Sequence, residues 1–360
     1  MFDSGRMRTT AGMALGLLLF LGALLLPAQD LESIPVVRHE LSKDISVYQV
    51  GLTAVVSNMT AVRTSEGVVV FDALQFPQLA KRVRALIEKD FGSKIACLIN
   101  THGAMDHTGG NVVFEDVPIY GHQNIKTELT PPTDRPRPPM PSPEAMKKLM
   151  DRRAKQNEEA KKNYLGDIRE FEENDQISEL MMRSFDPANP PKPPVIPTTL
   201  IGDRYILRLG GKTFEMSHNT PSYSGSDIII YIPEEKTLVI GDIFNKGRLP
   251  AISPQAPTDL ESWEKLFSGY ISKDTTIDHF ICTHGAGTIT AAEIREQFSY
   301  LKKLTEEVRN LKATGKTAAE IQAQIPLAQF PYLKTYNPYF YGTGFNLHNL
   351  NIDSLWKQTK

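Results

Sequence analysis

The sequence predicts an α/β fold built from two batches of short apolar strands, with a proline-bracketed helical segment between them. Three observations carry that expectation. Each batch runs strand, helix, strand, so the apolar spacing switches between the strand period of two and the helix period of 3.6. "PPTDRPRPPMPSP" and "PANPPKPPVIP" flank a charged helical stretch. An internal echo, "INTHGA" at 99–104 and "CTHGAG" at 282–287, ends an apolar strand on Thr-His-Gly-Ala in each batch. A fold made of two similar halves would bring those two strand ends together.

The N-terminus, "MFDSGRMRTTAGMALGLLLFLGALLLPAQD", has two arginines, an apolar run from Ala11 to Leu26 and a small-residue site at Pro27-Ala28. It reads as a secretory signal, residues 1–28, cleaved after Ala28. An uncleaved single anchor is the alternative, because the run is only slightly short of a spanning helix. Cleavage implies a periplasmic or secreted protein with no stable membrane association. Net charge is −2 over 360 residues, and −3 once Asp3, Arg6 and Arg8 are removed, which gives no reason to expect nucleic acid as a partner. Oligomeric state is not legible. Cys97 and Cys282 lie in apolar runs and read as buried free thiols rather than a disulfide framework.

In the first batch, "ISVYQV", "TAVVSNMTAVRT" and "GVVVFDAL" read as antiparallel strands punctuated by Gly and Ser. "PQLAKRVRALIEKDFG" places Leu79, Val83, Leu86 and Ile87 on one helical face, closed by Gly92. "KIACLIN" is then a fully apolar strand delivering His102, followed by a short helix and a strand in "NVVFEDVPIYGH". From about 124 to 200 the character changes to the insertion, whose apolar residues (Met146, Leu149 and Met150, for example) recur at helical spacing. Its methionines pack on the core or form an adaptable wall over a site. Strands return in "RYILRLGGKTFEMS" and "SDIIIYIPEEKTLVIGDIF". A helix at "DLESWEKLF", the strand "IDHFICTHG", a long helix from about Ala291 to Leu311 and a closing C-terminal helix follow.

The chemistry sits at strand ends. In "NTHGAMDHTGGN", His102, Asp106 and His107 converge from one glycine-containing loop; Asp242 in "VIGDIF" and His284 in "ICTHG" end two later strands. Imidazole and carboxylate donors in that mixture suit zinc, and also iron or manganese.

These residues resemble the metallo-β-lactamase superfamily, over about 36–310 apart from the insertion. Thr101, His102, Asp106, His107, Gly109 and Gly110 match its Thr-His-x-His-x-Asp-His-x-Gly-Gly motif, Gly241-Asp242 its Gly-Asp, and His284 its final strand-end His, while Asp72 ends the matching earlier strand. The resemblance implies a four-layer αββα sandwich over residues 29–360 and two metal pockets. It also shows two departures. Ala104 stands where the motif has its second His, and Pro221-Ser222-Tyr223 where it has Pro-Gly-His, with His218 as the only nearby substitute.

The first pocket would keep His102 alone, with Ala104 and Tyr223 in place of donors. The second would keep Asp106, His107 and His284, with Asp242 shared or completing it. One zinc ion rather than two is therefore expected, with iron or manganese as other candidates. The implied activity is a metal-dependent hydrolase of esters, lactones, lactams or related bonds in a small-molecule substrate. His102 is then a candidate general base and Tyr223 a candidate oxyanion donor, or a phenol packed across the vacant pocket. Lys246 and Arg248 are candidates to hold an anionic group, or members of a solvated loop. His39, His122, His279 and His348 match no ligand position. Two other readings compete: a non-catalytic binding protein on a degenerate centre, and a mono-iron oxygenase, disfavoured because Tyr223 replaces the histidine such relatives use.

Overall fold

A computed structural model describes residues 34–51, 56–130, 142–162, 195–218, 223–252, 259–272, 276–330, 339–340 and 345–359, with 168, 169 and 172. The signal segment 1–28 and much of the insertion lie outside these residues.

A seven-stranded sheet forms from β1 (Val36–Glu40), β2 (Ile45–Val50), β3 (Met59–Thr64), β4 (Gly67–Phe71), β5 (Ile95–Ile99), β6 (Ile119–His122) and β7 (Thr199–Ile201), hydrogen-bonded in that order. Strands β1 to β4 pair antiparallel, and β4 to β7 parallel. The parallel step from β4 to β5 needs a crossover, supplied by α1 (Pro77–Phe91), which buries Leu79, Ala80, Val83, Ile87 and Phe91. Pro77 starts this helix, and Gly92 ends it in the left-handed conformation that glycine adopts without strain.

The second half repeats the plan. Strands β8 (Arg204–Leu209), β9 (Lys212–Ser217), β10 (Ile229–Ile232) and β11 (Thr237–Gly241) pair antiparallel. Helix α5 (Leu260–Ile271) then crosses over to β12 (His279–Cys282), parallel to β11, and β13 (Thr288–Ile289) closes the sheet. Within the first half, α2 (Met105–Thr108) lies between β5 and β6, and α3 (Ile125–Leu129) and α4 (Pro143–Lys162) between β6 and β7; after β13 come α6 (Ala291–Ala313), α7 (Ala318–Gln324) and α8 (Leu347–Gln358). Strands β14 (Tyr339–Phe340) and β15 (Phe345–Asn346) form a small separate hairpin.

Three apolar cores fix the layer order. One packs α1 on the outer face of the first sheet, through residues such as Val68, Val70, Leu98 and Leu79. A second, with Val47, Val69, Phe214 and Ile230, fills the space between the sheets. The third joins the second sheet to α5, α6 and α8 through Phe244, Trp263, Phe298 and Ile352. The result is the αββα sandwich that the sequence predicts.

The range 124–200, read from sequence as insertion, begins and ends on elements of the main fold. Helix α3 buries Ile125 and Leu129, and β7 pairs with β6 through Tyr120↔Thr199 and His122↔Ile201. A three-residue strand inside a proline-rich run is too short to show a period. Of the interior, the structure describes α4, residues 168, 169 and 172, and 195–198, where the Val195 carbonyl accepts from Asn111 Nδ2 and Thr198 Oγ1 accepts from Ile119 N, both at 2.9 Å.

Candidate metal centre

Each half of the fold delivers an Asp and, from the neighbouring parallel strand, a Thr-His pair. Asp72 follows β4, and its carboxylate accepts from Thr101 N and Thr101 Oγ1, both at 2.8 Å. Asp242 follows β11 and accepts from Thr283 Oγ1 at 2.5 Å. His102 and His284 come next in the chain after these threonines, so the Thr-His-Gly-Ala echo has a structural cause: two parallel strand pairs that meet at one end of the sandwich. Backbone bonds join the halves there, from Asn58 N to Thr283 O at 2.6 Å and from Ile228 N to Thr101 O at 2.9 Å.

Between β5 and β6 the chain turns into the short helix α2, which carries Asp106 and His107. The Asn100 side chain donates to the His107 carbonyl at 3.0 Å and exchanges amide bonds with Asn111. Gly110 lies against the β4 end so closely that a Cβ there would stand 2.0 Å from the Ala73 carbonyl oxygen. A side chain at position 110 would therefore push α2 off its seat.

Asp106, His107, Asp242 and His284 each present a donor atom within 4.8 Å of the other three. His107 Nε2 is 3.3 Å from Asp106 Oδ2 and 3.6 Å from Asp242 Oδ1. His284 Nε2 is 3.1 Å from Asp106 Oδ2 and 3.2 Å from Asp242 Oδ1. Zinc ligands about 2.1 Å from the ion stand about 3.4 Å apart when tetrahedral, and these four separations bracket that edge. His107 Nε2 and Asp242 Oδ2 are buried without a hydrogen-bond partner among the described residues. The donor set therefore fits a divalent ion. His107 Nδ1 lies 2.9 Å from Asp72 Oδ2, which turns its other nitrogen toward the cluster, the carboxylate support that ligating histidines use.

The charges reinforce one another. Burial pushes the Asp106 carboxyl up, but the His107 and His284 imidazoles outweigh it and hold the group well below the usual range. Asp242 is likewise opposed by burial and lowered by His284 and His107. Burial alone would lower His107 and His284; Asp106, Asp72 and Asp242 raise the first, and Asp242 and Asp106 the second.

The sequence pattern of the metallo-beta-lactamase superfamily matches residues 52–275. The chain belongs to that superfamily. Among solved structures it is similar to the stereoselective inverting sec-alkylsulfatase Pisa1 from Pseudomonas sp., with 17% identity and a TM-score of 0.60, over 92% of this chain and 51% of that one. A double mutant of the same sulfatase gives 18% identity and 0.59 over the same shares. This chain spans about half the length of those sulfatase structures. A metallo-beta-lactamase from Pontibacter korlensis is 13% identical with a TM-score of 0.46, over 74% of this chain and 99% of that one. No curated protein matches the sequence.

The superfamily's other metal pocket is where this chain departs. His102 is buried and stands outside the four-donor cluster; its ring centroid is 4.0 Å from that of His107 and 5.3 Å from that of Tyr223, edge-on. Its Nδ1 is 3.1 Å from Thr101 Oγ1, and its Nε2 has no hydrogen-bond partner among the described residues. Since Thr101 Oγ1 gives its proton to Asp72, it accepts from His102 Nδ1, and Nε2 keeps a lone pair. Tyr223, rather than His218, stands beside His102. Burial, then the charges of Asp242 and Asp106, push its phenol above the ordinary range. Ala104 offers only its carbonyl, which accepts from His107 N and Thr108 N.

Arg248 and Lys246 separate. The Arg248 guanidinium is buried, with Nη2 3.9 Å from Asp242 Oδ2, whereas Lys246 is exposed and faces Glu293 at 3.7 Å. Glu128, on α3, is a residue that sequence reasoning missed. It accepts from Gly225 N at 2.8 Å and Ser226 Oγ at 2.5 Å, and Ser226 Oγ in turn accepts from Gly103 N at 3.0 Å. Nothing in "NIKTEL" signals that this carboxylate ties the Tyr223 loop to the His102 loop.

Proposed function

We propose that the protein is a metal-dependent hydrolase whose reaction centre holds a single divalent ion, zinc in preference to iron or manganese, on Asp106, His107, Asp242 and His284. The observation that carries this reading is the convergence of those four donors, with imidazole-to-carboxylate separations of 3.1–3.6 Å, beside a pocket that retains one histidine among the described residues. Bound there, the ion supplies Lewis-acid polarisation of the substrate and acidification of water.

The remaining chemistry belongs to the chain. His102, its tautomer fixed through Thr101 and Asp72, accepts the proton of the attacking water at Nε2. Tyr223 stays protonated and donates to the oxygen that gains charge. Arg248 supplies positive charge beside Asp242, which favours an anionic substrate. That placement, with the fold likeness to a sec-alkylsulfatase, makes sulfate monoesters the first class to test, ahead of carboxylic esters, lactones and lactams. The N-terminal 28 residues support export, so we place the mature enzyme in the periplasm or outside the cell.

The test is metal content and turnover measured together. Zinc-loaded protein is expected to hydrolyse aryl or alkyl sulfates or one of the other esters, and Asp106→Ala to lose both its central metal and that activity. A chain that binds no ion at this cluster and turns over none of these substrates is a binding protein on the same fold, and the proposal fails.

A further inference from the structure

His122, Asp203 and His218 come from three separate places in the chain. His122 ends β6 in the first sheet, His218 directly follows β9 in the second, and Asp203 lies in the short connection from β7 to β8, where the chain passes between sheets. The two imidazoles stack, with centroids 3.9 Å apart and planes 22° from parallel. Both are buried, while the Asp203 side chain is 72% exposed and opens the cluster to solvent.

The hydrogen bonds point to a ligating arrangement. His218 Nδ1 is 2.7 Å from the Asp227 carbonyl oxygen; a carbonyl only accepts, so Nδ1 carries the proton and Nε2 keeps a lone pair. That is the backbone support that orients metal-binding histidines. His122 Nε2 lies 3.3 Å from Asp203 Oδ1, and its Nδ1 has only a long 3.4 Å contact from Asn124 N. Burial and the neighbouring His218 hold His122 below the ordinary imidazole range, so it is neutral, the form that binds metal. The backbone pins the geometry: His218 N donates to Asp203 O and Gln123 N to Ile201 O, both at 2.8 Å. One donor atom from each residue falls within 4.8 Å of the other two.

We propose that His122, Asp203 and His218 form a second divalent-cation site, separate from the four-donor centre, that clips the two sheets together. Two imidazole nitrogens and one carboxylate oxygen select a borderline cation such as Zn²⁺ or Co²⁺ over Mg²⁺ or Ca²⁺. The site precedes Tyr223 in the chain by five positions, counted from His218.

The experiment is a Co²⁺ titration of the full chain, read by visible absorption and by metal content after desalting. The intact protein is expected to bind two Co²⁺, and the Asp106→Ala/His284→Ala variant one. Asp203→Asn, an exposed change that leaves the core untouched, should weaken that remaining ion by at least about the tenfold that even loss of an outer partner costs a metal site, with the four-donor ion unaffected. His122→Ala/His218→Ala should abolish it. If Asp106→Ala/His284→Ala is folded by circular dichroism yet binds no Co²⁺, or if Asp203→Asn leaves its affinity unchanged, the second site does not exist.

Discussion

Asp72 Oδ2 lies 2.9 Å from His107 Nδ1 and 2.8 Å from Thr101 Oγ1. One buried carboxylate thus orients a residue of the metal cluster directly and, through Thr101, the His102 ring beside it. Asp72 has φ of 60°, a conformation that Asp and Asn tolerate better than other side-chain-bearing residues.

Replacing Asp72 with Asn keeps the backbone conformation and removes the charge. Affinity for one Zn²⁺ is expected to fall about 10–100-fold, measured by competition with a chromophoric chelator. Unchanged affinity would mean that His107 does not depend on Asp72 for its orientation.

Substitution of His102 by Ala separates ligand from base. Metal at the four-donor cluster should stay near the wild-type level while kcat falls by about 10²–10⁴. Loss of the ion along with activity would make His102 a ligand instead.

Proton linkage follows from the opposed shifts at the cluster. In the metal-free chain, the raised His107 and His284 stabilise the fold fully below the ordinary imidazole value of about 6.5, and that contribution is lost as pH rises through their higher folded values. The lowered Asp106 and Asp242 stabilise it above their ordinary value of about 3.9 and lose this as pH falls through the lower folded ones. An arriving cation must displace the imidazole protons, so Zn²⁺ affinity should keep rising with pH above 6.5. Calorimetry at neutral pH in buffers of different ionisation enthalpy should show protons released by the Asp106-containing chain beyond those released by Asp106→Ala/His284→Ala.

Gly110→Ala tests the seat of α2. With a Cβ 2.0 Å from Ala73 O, the backbone has to move, and a loss of about 1–3 kcal/mol is expected in denaturant unfolding, together with weaker metal retention.

Much of the centre was legible because its residues follow apolar strands or open a glycine turn. "KIACLIN" and "HFIC" deliver His102 and His284, and "VIGD" delivers Asp242, from strand positions where the sequence pattern is strong. The Thr-His-Gly-Ala echo even carried the meeting of the two halves. What stayed hidden depends on contacts between elements distant in sequence. Glu128 reaches Ser226 across 98 positions, and His122 meets Asp203 across 81; no local spacing encodes either. Tyr223 against His218 was undecidable for the same reason: only the ring contacts show His218 stacked on His122 and Tyr223 against His102.

The most direct measurement is a crystal structure of zinc-loaded protein with data collected at the zinc absorption edge, so that each ion gives an anomalous peak. At the His102 end of the sandwich, one peak is expected, bound by Asp106, His107, Asp242 and His284, with His102 Nε2 and the Tyr223 hydroxyl making no bond to it. A peak ligated by His102, or two peaks sharing Asp242, would contradict the single-ion centre.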